Sequence, residues 1–156
     1  MGILTSEMKE AVPLIRLAFV ATVSPDRKPN LSAKGSLCVW DDDHLLFADI
    51  ASPQTMKNLE SNPHVEINTV DQIGRRGFRF KGVAEVYREG EVFDFLANDI
   101  HTREGPDVPV HAAVKVRVLE ARPLLSPAYF IRRGVTEAEV RKVWMGRYGY
   151  RLADKG

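Results

Sequence analysis

The sequence has a single cysteine and no long hydrophobic run. Cys38 alone cannot form an intramolecular disulfide, and no apolar stretch approaches the roughly 20 residues that a helix needs to cross a bilayer. The first residues carry early acidic side chains instead of the basic start and long apolar run of a signal peptide. These absences predict a cytoplasmic protein without a membrane partner.

The chain also lacks an excess of either charge. Its formal net charge is +1, so the field of the whole chain does not favour a polyanion, and we expect no nucleic-acid partner. The 156 residues, 44% of them hydrophobic, can bury a sizeable core without a disulfide or a structural metal. We therefore expect one domain over residues 1–156, with a core over about 14–120 and a C-terminal helical segment over about 127–150.

Common catalytic motifs are missing as well. There is no G-x-G-x-x-G, Walker-type loop or G-x-S-x-G, which removes the main support for dinucleotide-binding, P-loop and α/β-hydrolase folds. The four histidines do not fall at metal-ligand spacing, and we expect no metal. Cys38, in a strand context, is interpreted as a small buried hydrophobe and not as a nucleophile. Any chemistry would therefore come from a bound cofactor, and the catalytic residues stay unknown.

The hydrophobic pattern predicts a mostly β chain with helical insertions. Period-two and continuous apolar runs predict six strands, at 17–23, 30–40, 44–50, 64–70, 77–86 and 110–121. Helices are predicted from a Ser6 cap to about Pro13, between Ser52 and Asn62, over 90–100, and after a capping box at Thr136. The last helix should carry one apolar side, formed by Val140, Val143, Trp144 and Tyr148. This order favours a six-stranded antiparallel barrel over a doubly wound sheet.

The predicted strand over 30–40 alternates polar and apolar residues. One face carries Asn30, Ser32, Lys34 and Ser36. The other carries the small and apolar residues Leu31, Ala33, Gly35, Leu37 and Val39, which we expect to face the core. The polar ladder is able to hold a flat polar ring, and Gly35 suits a ligand that approaches the backbone closely. The alternative is a solvated strand face with an incidental glycine.

The start of the second predicted helix has the features of an anion site. Ser52 is at the N-cap and Pro53 at the first helical position, which leaves free N–H groups in the first turn. The Thr55 hydroxyl, the Gln54 amide and the helix dipole would hold a phosphate, with Lys57 adding charge nearby. The alternative is an ordinary capped surface helix. A basic segment follows later, RRGFRFKG, whose outward Arg79 serves either a ligand or solubility.

The order and spacing of three segments resemble the pyridoxamine 5′-phosphate oxidase-related family of FMN-binding split barrels. These segments are FVATVSPDRKPNLSAKGSL, LLFADIASPQTMKNLESNPHVEINTVD and RRGFRFKGVAEV, within roughly residues 14–120. The resemblance implies FMN at the interface of a homodimer. It places the isoalloxazine and ribityl beside Ser32, Ala33, Lys34, Gly35 and Ser36. It also places Ala48, Asp49 and Ile50 under the ring, Gln54 and Thr55 on the phosphate, and Arg79 within reach of the cofactor.

The chain departs from members of this family that oxidise pyridoxamine phosphate. It has Ser-Pro-Gln-Thr at 52–55 where those members carry a Ser-Arg-Lys cluster, and Arg151-Leu152-Ala153 only partly matches their Arg-Leu-Ala-Pro ending. We therefore expect an FMN-dependent oxidoreductase that passes electrons between a nicotinamide donor and another small molecule. The alternatives are a flavin-binding or electron-carrying module, a deazaflavin protein, or a haem protein with His111 or His64 as axial ligand.

A homodimer is also predicted from the strands themselves. The runs at 17–23 and 44–50 carry apolar side chains on both faces, whereas a small barrel has only one interior. The second face would then need a partner subunit, and most oligomers of this kind are two-fold symmetric.

Overall fold

Seven antiparallel strands and five helices make up the computed structural model, which describes residues 2–150. The helices are α1 Ser6–Ile15, α2 Pro53–Ser61, α3 Glu91–Glu104, α4 Ala128–Ile131 and α5 Glu137–Arg147. The strands are β1 Ala18–Val23, β2 Pro29–Lys34, β3 Cys38–Val39, β4 His44–Asp49, β5 His64–Asp71, β6 Arg76–Tyr87 and β7 Ala112–Leu125. They form one sheet in the order β2-β1-β5-β6-β7-β4-β3. Within the described residues, no helix is both long and apolar enough to cross a bilayer.

The two edge strands of this sheet are consecutive in the chain. Only residues 35–37 join β2 to β3. A flat sheet of seven strands would separate its edges by about 29 Å, whereas the four Cα steps from Lys34 to Cys38 span at most about 15 Å. The sheet therefore curls until its edges approach each other, although β2 and β3 do not pair within residues 2–150. The result confirms the predicted mostly β, antiparallel split barrel with flanking helices.

The main core fills the inside of the curl. Val20, Ile67 and Phe80 are cross-strand neighbours on β1, β5 and β6, and each is completely buried. Helix α1 adds Met8 and Val12 to this core, and α2 adds its own apolar residues. Alternate residues of the strands therefore build the interior, as the period of two predicts.

A second, smaller core lies on the outer side of β4. Leu46 and Ala48 point away from the barrel and pack against Leu96 and Ile100 of α3. The expectation that a partner subunit must cover the second face of both apolar strands is therefore wrong for β4. Helix α3, which lies between β6 and β7 in the sequence, folds back over the sheet and covers that face of β4. The corresponding face of β1 stays partly exposed.

The single strand predicted over 30–40 is two strands, which makes the total seven and not six. β2 ends at Lys34 and pairs with β1, whereas Cys38 and Val39 form β3 and pair with β4 at the other edge of the sheet. The curl explains the break, because the chain has to leave one edge at this point and begin the other. Gly35, which has no side chain to pack in a strand, stands where the direction changes.

The two faces of β2 are the reverse of the prediction. Leu31 is 65% exposed and Ala33 is also exposed, while Lys34 is only 6% exposed and Ser32 is half-buried. In the register with β1, Ser32 lies opposite the buried Val20. The polar face turns inward because this part of the interior supplies hydrogen-bonding partners for it.

Those partners form a polar cluster beneath α2. The Asn30 side chain donates to the Thr22 and Thr55 hydroxyls at 3.2 and 3.1 Å. Asn58, which is 0% exposed, donates to the same Thr22 hydroxyl at 2.9 Å and accepts from the Gln54 amide at 2.7 Å. Each buried polar side chain thus has a partner, and the cluster ties α2 to β1 and β2.

Two helix predictions need correction. Thr5, not Ser6, caps α1 by accepting a hydrogen bond from the N–H of Met8, and the helix continues through Pro13 to Ile15. Pro13 has no N–H and so forgoes one intrahelical bond, to the Lys9 carbonyl, and the helix ends two residues later. The capping box of α5 is present as predicted, but its apolar side is mostly open, since Val140 is the one buried residue of that helix.

The polar cluster should be measurable as stability. Replacing Asn58 with alanine removes one of the two donors to the buried Thr22 hydroxyl and the acceptor of the Gln54 amide, so we expect the free energy of unfolding to fall by about 2 kcal/mol or more. Urea unfolding measures this value. The matched control is Asn98→Ala on the exposed side of α3, which should change stability by less than about 0.5 kcal/mol. Equal losses of stability in the two variants would show that the cluster contributes no more to folding than an exposed side chain does.

Candidate cofactor site

Lys34, Asp49 and Ser52 meet where β2 and β4 end beside α2. The Lys34 ammonium donates to the Ser52 hydroxyl, which in turn donates to the Asp49 carboxylate at 3.0 Å. The backbone N–H of Ser52 also donates to that carboxylate, at 3.2 Å. Lys34 is far along the chain from the other two, and the resemblance implied Lys34 and Asp49 as cofactor neighbours, whereas Ser52 was predicted as part of the anion site at the helix start.

Lys34 is a buried cation. Burial lowers its pKa below the ordinary value of a lysine, and the nearby Asp49 carboxylate partly offsets that effect. Its ammonium also lies 5.5 Å from the centre of the Phe47 ring, within the range of a cation–π contact. A positive charge held below the surface in this way is available to an anionic or electron-rich ligand without prior loss of water.

The first turn of α2 adjoins this charge. Ser52 is at the N-cap position, although its hydroxyl bonds to Asp49 and does not cap the helix. Pro53 is the first helical residue, and Met56 is the first whose N–H bonds back to the N-cap carbonyl. The N–H groups of Gln54 and Thr55 therefore have no acceptor within the helix. The positive end of the helix dipole lies at the same place.

The side chains of this turn differ in their exposure. Gln54 and Lys57 are exposed, whereas Thr55 is 1% exposed and its hydroxyl accepts the hydrogen bond from Asn30. That hydroxyl still has its own proton to donate. The Thr55 side chain therefore contacts the polar cluster, and both its hydroxyl proton and its backbone N–H lack an acceptor within residues 2–150.

A cleft of about 330 Å³ lies next to this group of residues. Gly35, Ser36 and Ile50 line one side of it, and the end of α3 lines the other, with Ile100, Arg103, Glu104 and Val108. The Ser36 hydroxyl accepts a hydrogen bond from the N–H of Ala48 at 2.9 Å, which fixes the linker against β4. The cleft thus brings together residues that the sequence prediction placed in two separate segments.

The remaining predicted residues do not join the cleft. The Ala48 side chain is buried in the second core under α3. Ala33 and Arg79 face outward and lie in one cross-strand row, with Phe19 and Asn68 between them. Arg79 forms an ion pair with Glu66 at 3.0 Å on that outer face. Within one protomer, therefore, Ala33 and Arg79 lie on a different surface from Lys34 and Ser36.

Sequence reasoning missed the contribution of α3. Arg103 pairs with Asp99 at 2.7 Å and with Glu104 at 3.1 Å, and Arg103 and Glu104 line one wall of the cleft. The spacing of Asp99 and Arg103 indicates a helical ion pair, but nothing in it indicates which strand the helix covers. Cys38 is not a nucleophile here, because burial raises the pKa of its thiol to about 12.

The chain belongs to the pyridoxamine 5′-phosphate oxidase family. The model of that family matches residues 4–125, which include every strand and the helices α1 to α3. This finding confirms the resemblance seen in the sequence. The C-terminal helices α4 and α5 lie beyond the matched residues.

Solved structures of similar proteins agree with the fold. HupZ of Group A Streptococcus is 34% identical, with a TM-score of 0.69 over 78% of this chain and 94% of that one. An FMN-binding protein of Syntrophomonas wolfei is 16% identical, with a TM-score of 0.68 over 75% and 84%. HutZ, the haem storage protein of Vibrio cholerae, is 19% identical, with a TM-score of 0.61 over 80% and 95%. The same fold thus occurs in proteins with different ligands.

Lys34 should cost the apoprotein stability. A lysine whose pKa is lowered on folding binds its proton less well in the folded state, so its penalty is fully present at neutral pH. The penalty fades as the pH rises from the folded pKa towards the ordinary value of 10.5. We expect Lys34→Met to be at least as stable as the wild type in urea at pH 7, with the difference shrinking towards pH 10.

The control for this measurement is Lys28→Met, since the Lys28 side chain is 80% exposed. It should leave the unfolding curve unchanged at both pH values. A marked loss of stability in Lys34→Met alone would mean that the hydrogen bond to Ser52 outweighs the cost of burial.

Proposed function

We propose that this protein binds FMN in the cleft beside Lys34 and uses it as an oxidoreductase of small molecules. The observation that carries the proposal is the contact of a buried cation with the start of α2, whose first N–H groups are free, beside a cleft lined by Gly35 and Ile50, the chain neighbours of Lys34 and Asp49. FMN offers an anionic phosphate and a ring that becomes electron-rich on reduction. The family membership and the FMN-binding relative support the same choice.

Gly35 adds an independent argument for a ligand at the cleft. A Cβ at this position would meet only the Arg16 carbonyl oxygen, at an ordinary contact distance of 3.9 Å. Packing within the protomer therefore does not require glycine here. A flat ring lying against the backbone would require it, because a side chain would hold the ring away.

The protein residues would bind and orient the cofactor. Bound FMN supplies hydride-transfer chemistry, which accounts for the lack of a protein-borne acid, base or nucleophile. The N–H groups of Gln54 and Thr55 would hold the phosphate, and Lys34 would stabilise negative charge on the ring. Lys57 would add charge from the surface of α2.

The electron donor in this proposal is a nicotinamide cofactor in the cytoplasm. Anaerobic mixing of the FMN-loaded protein with NADH or NADPH distinguishes an enzyme from an electron carrier. Bleaching of the flavin absorbance within seconds would support the enzyme, since turnover numbers of about 1 s⁻¹ or more are typical. Reduction by dithionite alone would favour the carrier.

The Arg151 of the partial C-terminal match lies outside the described residues.

Haem is the second candidate ligand, because HutZ shares the fold and His111 adjoins the site. The His111 side chain is exposed, and its backbone N–H donates to the Asp49 carbonyl at 2.9 Å. His64, the other candidate, lies on the outer face and shares a hydrogen bond with Asn62. The absorbance spectrum of the purified protein distinguishes the ligands. A band near 400 nm that is lost in His111→Ala, together with the absence of a flavin spectrum, would mean that the ligand is haem and not FMN. A deazaflavin would show its own spectrum.

We expect FMN to bind more tightly than FAD, because the helix start suits a terminal phosphate monoester. Thr55→Ala should weaken FMN by about 1.5–3 kcal/mol, the value of a hydrogen bond to a charged group. Titration of the apoprotein followed by flavin fluorescence measures both quantities. Thr55→Ser keeps the hydroxyl and should restore most of the affinity, and Thr102→Ala on the exposed side of α3 should have no effect. Equal or tighter FAD binding would contradict the proposal.

The proposed cofactor site includes a second copy of the chain. The outer face of β1 and β2 leaves Leu31 65% and Val23 38% exposed, next to Ala33 and the half-buried Phe19. Such a face is suited to an isologous contact. Arg79, which lies in the same row as Ala33, would then approach the cleft of the partner subunit.

A charge on this face should dissociate the dimer. We expect the wild type to have about twice the monomer mass of 17.5 kDa in light scattering at micromolar concentration, and Leu31→Glu to have the monomer mass. Leu31→Glu should also weaken FMN, whereas Leu14→Glu on α1, where Leu14 is 82% exposed, should change neither property. A monomeric wild type that binds FMN fully would contradict the shared site.

A further inference from the structure

The C-terminal arm, defined as residues 126–150, packs on the hairpin between β5 and β6. Arg141 forms ion pairs with Asp71 of that hairpin and with Glu137 of its own helix. Glu137 in turn accepts from Arg76 of β6 at 2.8 Å. These ionic contacts fix α5 relative to the barrel, although the arm lies beyond the residues that match the family.

The arm forms an open cavity of its own. Its volume is about 600 Å³, within the range of small-molecule sites. The apolar part of its wall is formed by Ala128, Ile131, Val135, Val140, Val143 and Trp144. The cavity is lined by residues 126–147 alone, so it is separate from the cleft beside Lys34.

Cations dominate the polar part of the wall. Arg132, Lys142 and Arg147 line the cavity, and none of them forms an ion pair with another residue of the described range 2–150. The one acidic residue in the wall is Glu139. Its carboxylate accepts from the N–H and hydroxyl of Thr136 at 2.8 and 2.9 Å, as part of the helix cap, and these bonds lower its pKa. The cavity therefore has an excess of positive charge.

Trp144 forms the aromatic part of the wall. The guanidinium groups of Arg75 and Arg147 lie 4.1 and 4.6 Å from the centre of its ring. These cation–π contacts hold the ring in place at the base of α5. The indole edge and the neighbouring Val143, which is 45% exposed, offer a contact surface to an apolar group.

We propose that this cavity binds a small amphipathic anion, with an alkyl or aromatic body and a single carboxylate, sulfonate or phosphate head. The apolar wall takes the body, and the three cations take the head. A cationic molecule with the same body would meet three like charges, and a neutral one would leave them unpaired. The site does not depend on the identity of the cofactor in the barrel.

Trp144 allows the binding to be observed directly. The chain has two tryptophans, so Trp40→Phe leaves Trp144 as the one reporter; Trp40 itself packs edge-on against Phe95, away from the arm. We expect octanesulfonate to shift the Trp144 emission with one-to-one saturation below its micelle concentration. Octyltrimethylammonium should cause no saturable shift. Equal responses to the two probes, or no response to octanesulfonate at millimolar concentration, would overturn the proposal.

Charge variants in the same background locate the head group. Arg132→Gln and Lys142→Gln should each raise the dissociation constant of octanesulfonate about tenfold or more, because each removes a charge-assisted contact. Arg133→Gln removes the same charge from the next residue, which is exposed and does not line the cavity, and should change it less than twofold. An equal loss in Arg133→Gln would mean attraction by the general surface charge. Displacement of octanesulfonate by FMN would assign the cavity to the flavin site, and both results would overturn the proposal.

Discussion

The short connection between β2 and β3 is the constraint on which the architecture depends. Residues 35–37 join the two edges of one seven-stranded sheet, so the sheet has to curl to bring its ends together. The same curl places the end of β2 beside the end of β4 and the start of α2. Lys34, Asp49 and Ser52 become neighbours for that reason, although fifteen or more positions separate Lys34 from the other two. The candidate site is thus a product of barrel closure.

A second consequence of closure is a partly polar interior. The side chains of β2 that turn inward are an amide, a hydroxyl and an ammonium; the Asn30 amide bonds to Thr22 and Thr55, and the Lys34 ammonium bonds to Ser52 at the N-cap of α2. Such a network specifies one position for α2 on the barrel, because a shift of the helix would leave several groups unpaired. A buried cation at its edge has the opposite effect, since its desolvation opposes folding. Stability and ligand recognition therefore act against each other within a few residues.

The strands, most of the helices and the family could be predicted from the sequence because they depend on local periodicity and motif order. The faces of β2 could not. Alternation shows that Ser32 and Lys34 share a side, but which side is buried depends on partners such as Asn58 and Ser52, far along the chain. The cover of β4 by α3 was missed for the same reason. The pattern of a helix indicates which of its faces is buried, but not which strand that face contacts. Gly35 stood out in the sequence as a glycine within a predicted strand, and the structure places it in the linker after β2, where it lines the cleft.

Because the C-terminal arm is attached by ion pairs, the arm and the barrel are held by different interactions and should respond differently to salt. The barrel is held by buried apolar surface, which added salt does not weaken, whereas α5 has one buried residue and is anchored largely by Arg76, Glu137, Arg141 and Asp71 near the surface. At an ionic strength of about 1 M the Debye length falls to about 3 Å, and pairs of this kind lose much of their attraction. The arm would then open locally while the barrel stays folded, with its amides exchanging with solvent at a lower free energy than those of the core. Ionic strength thereby becomes a variable that acts on the attachment of the arm more than on the barrel core.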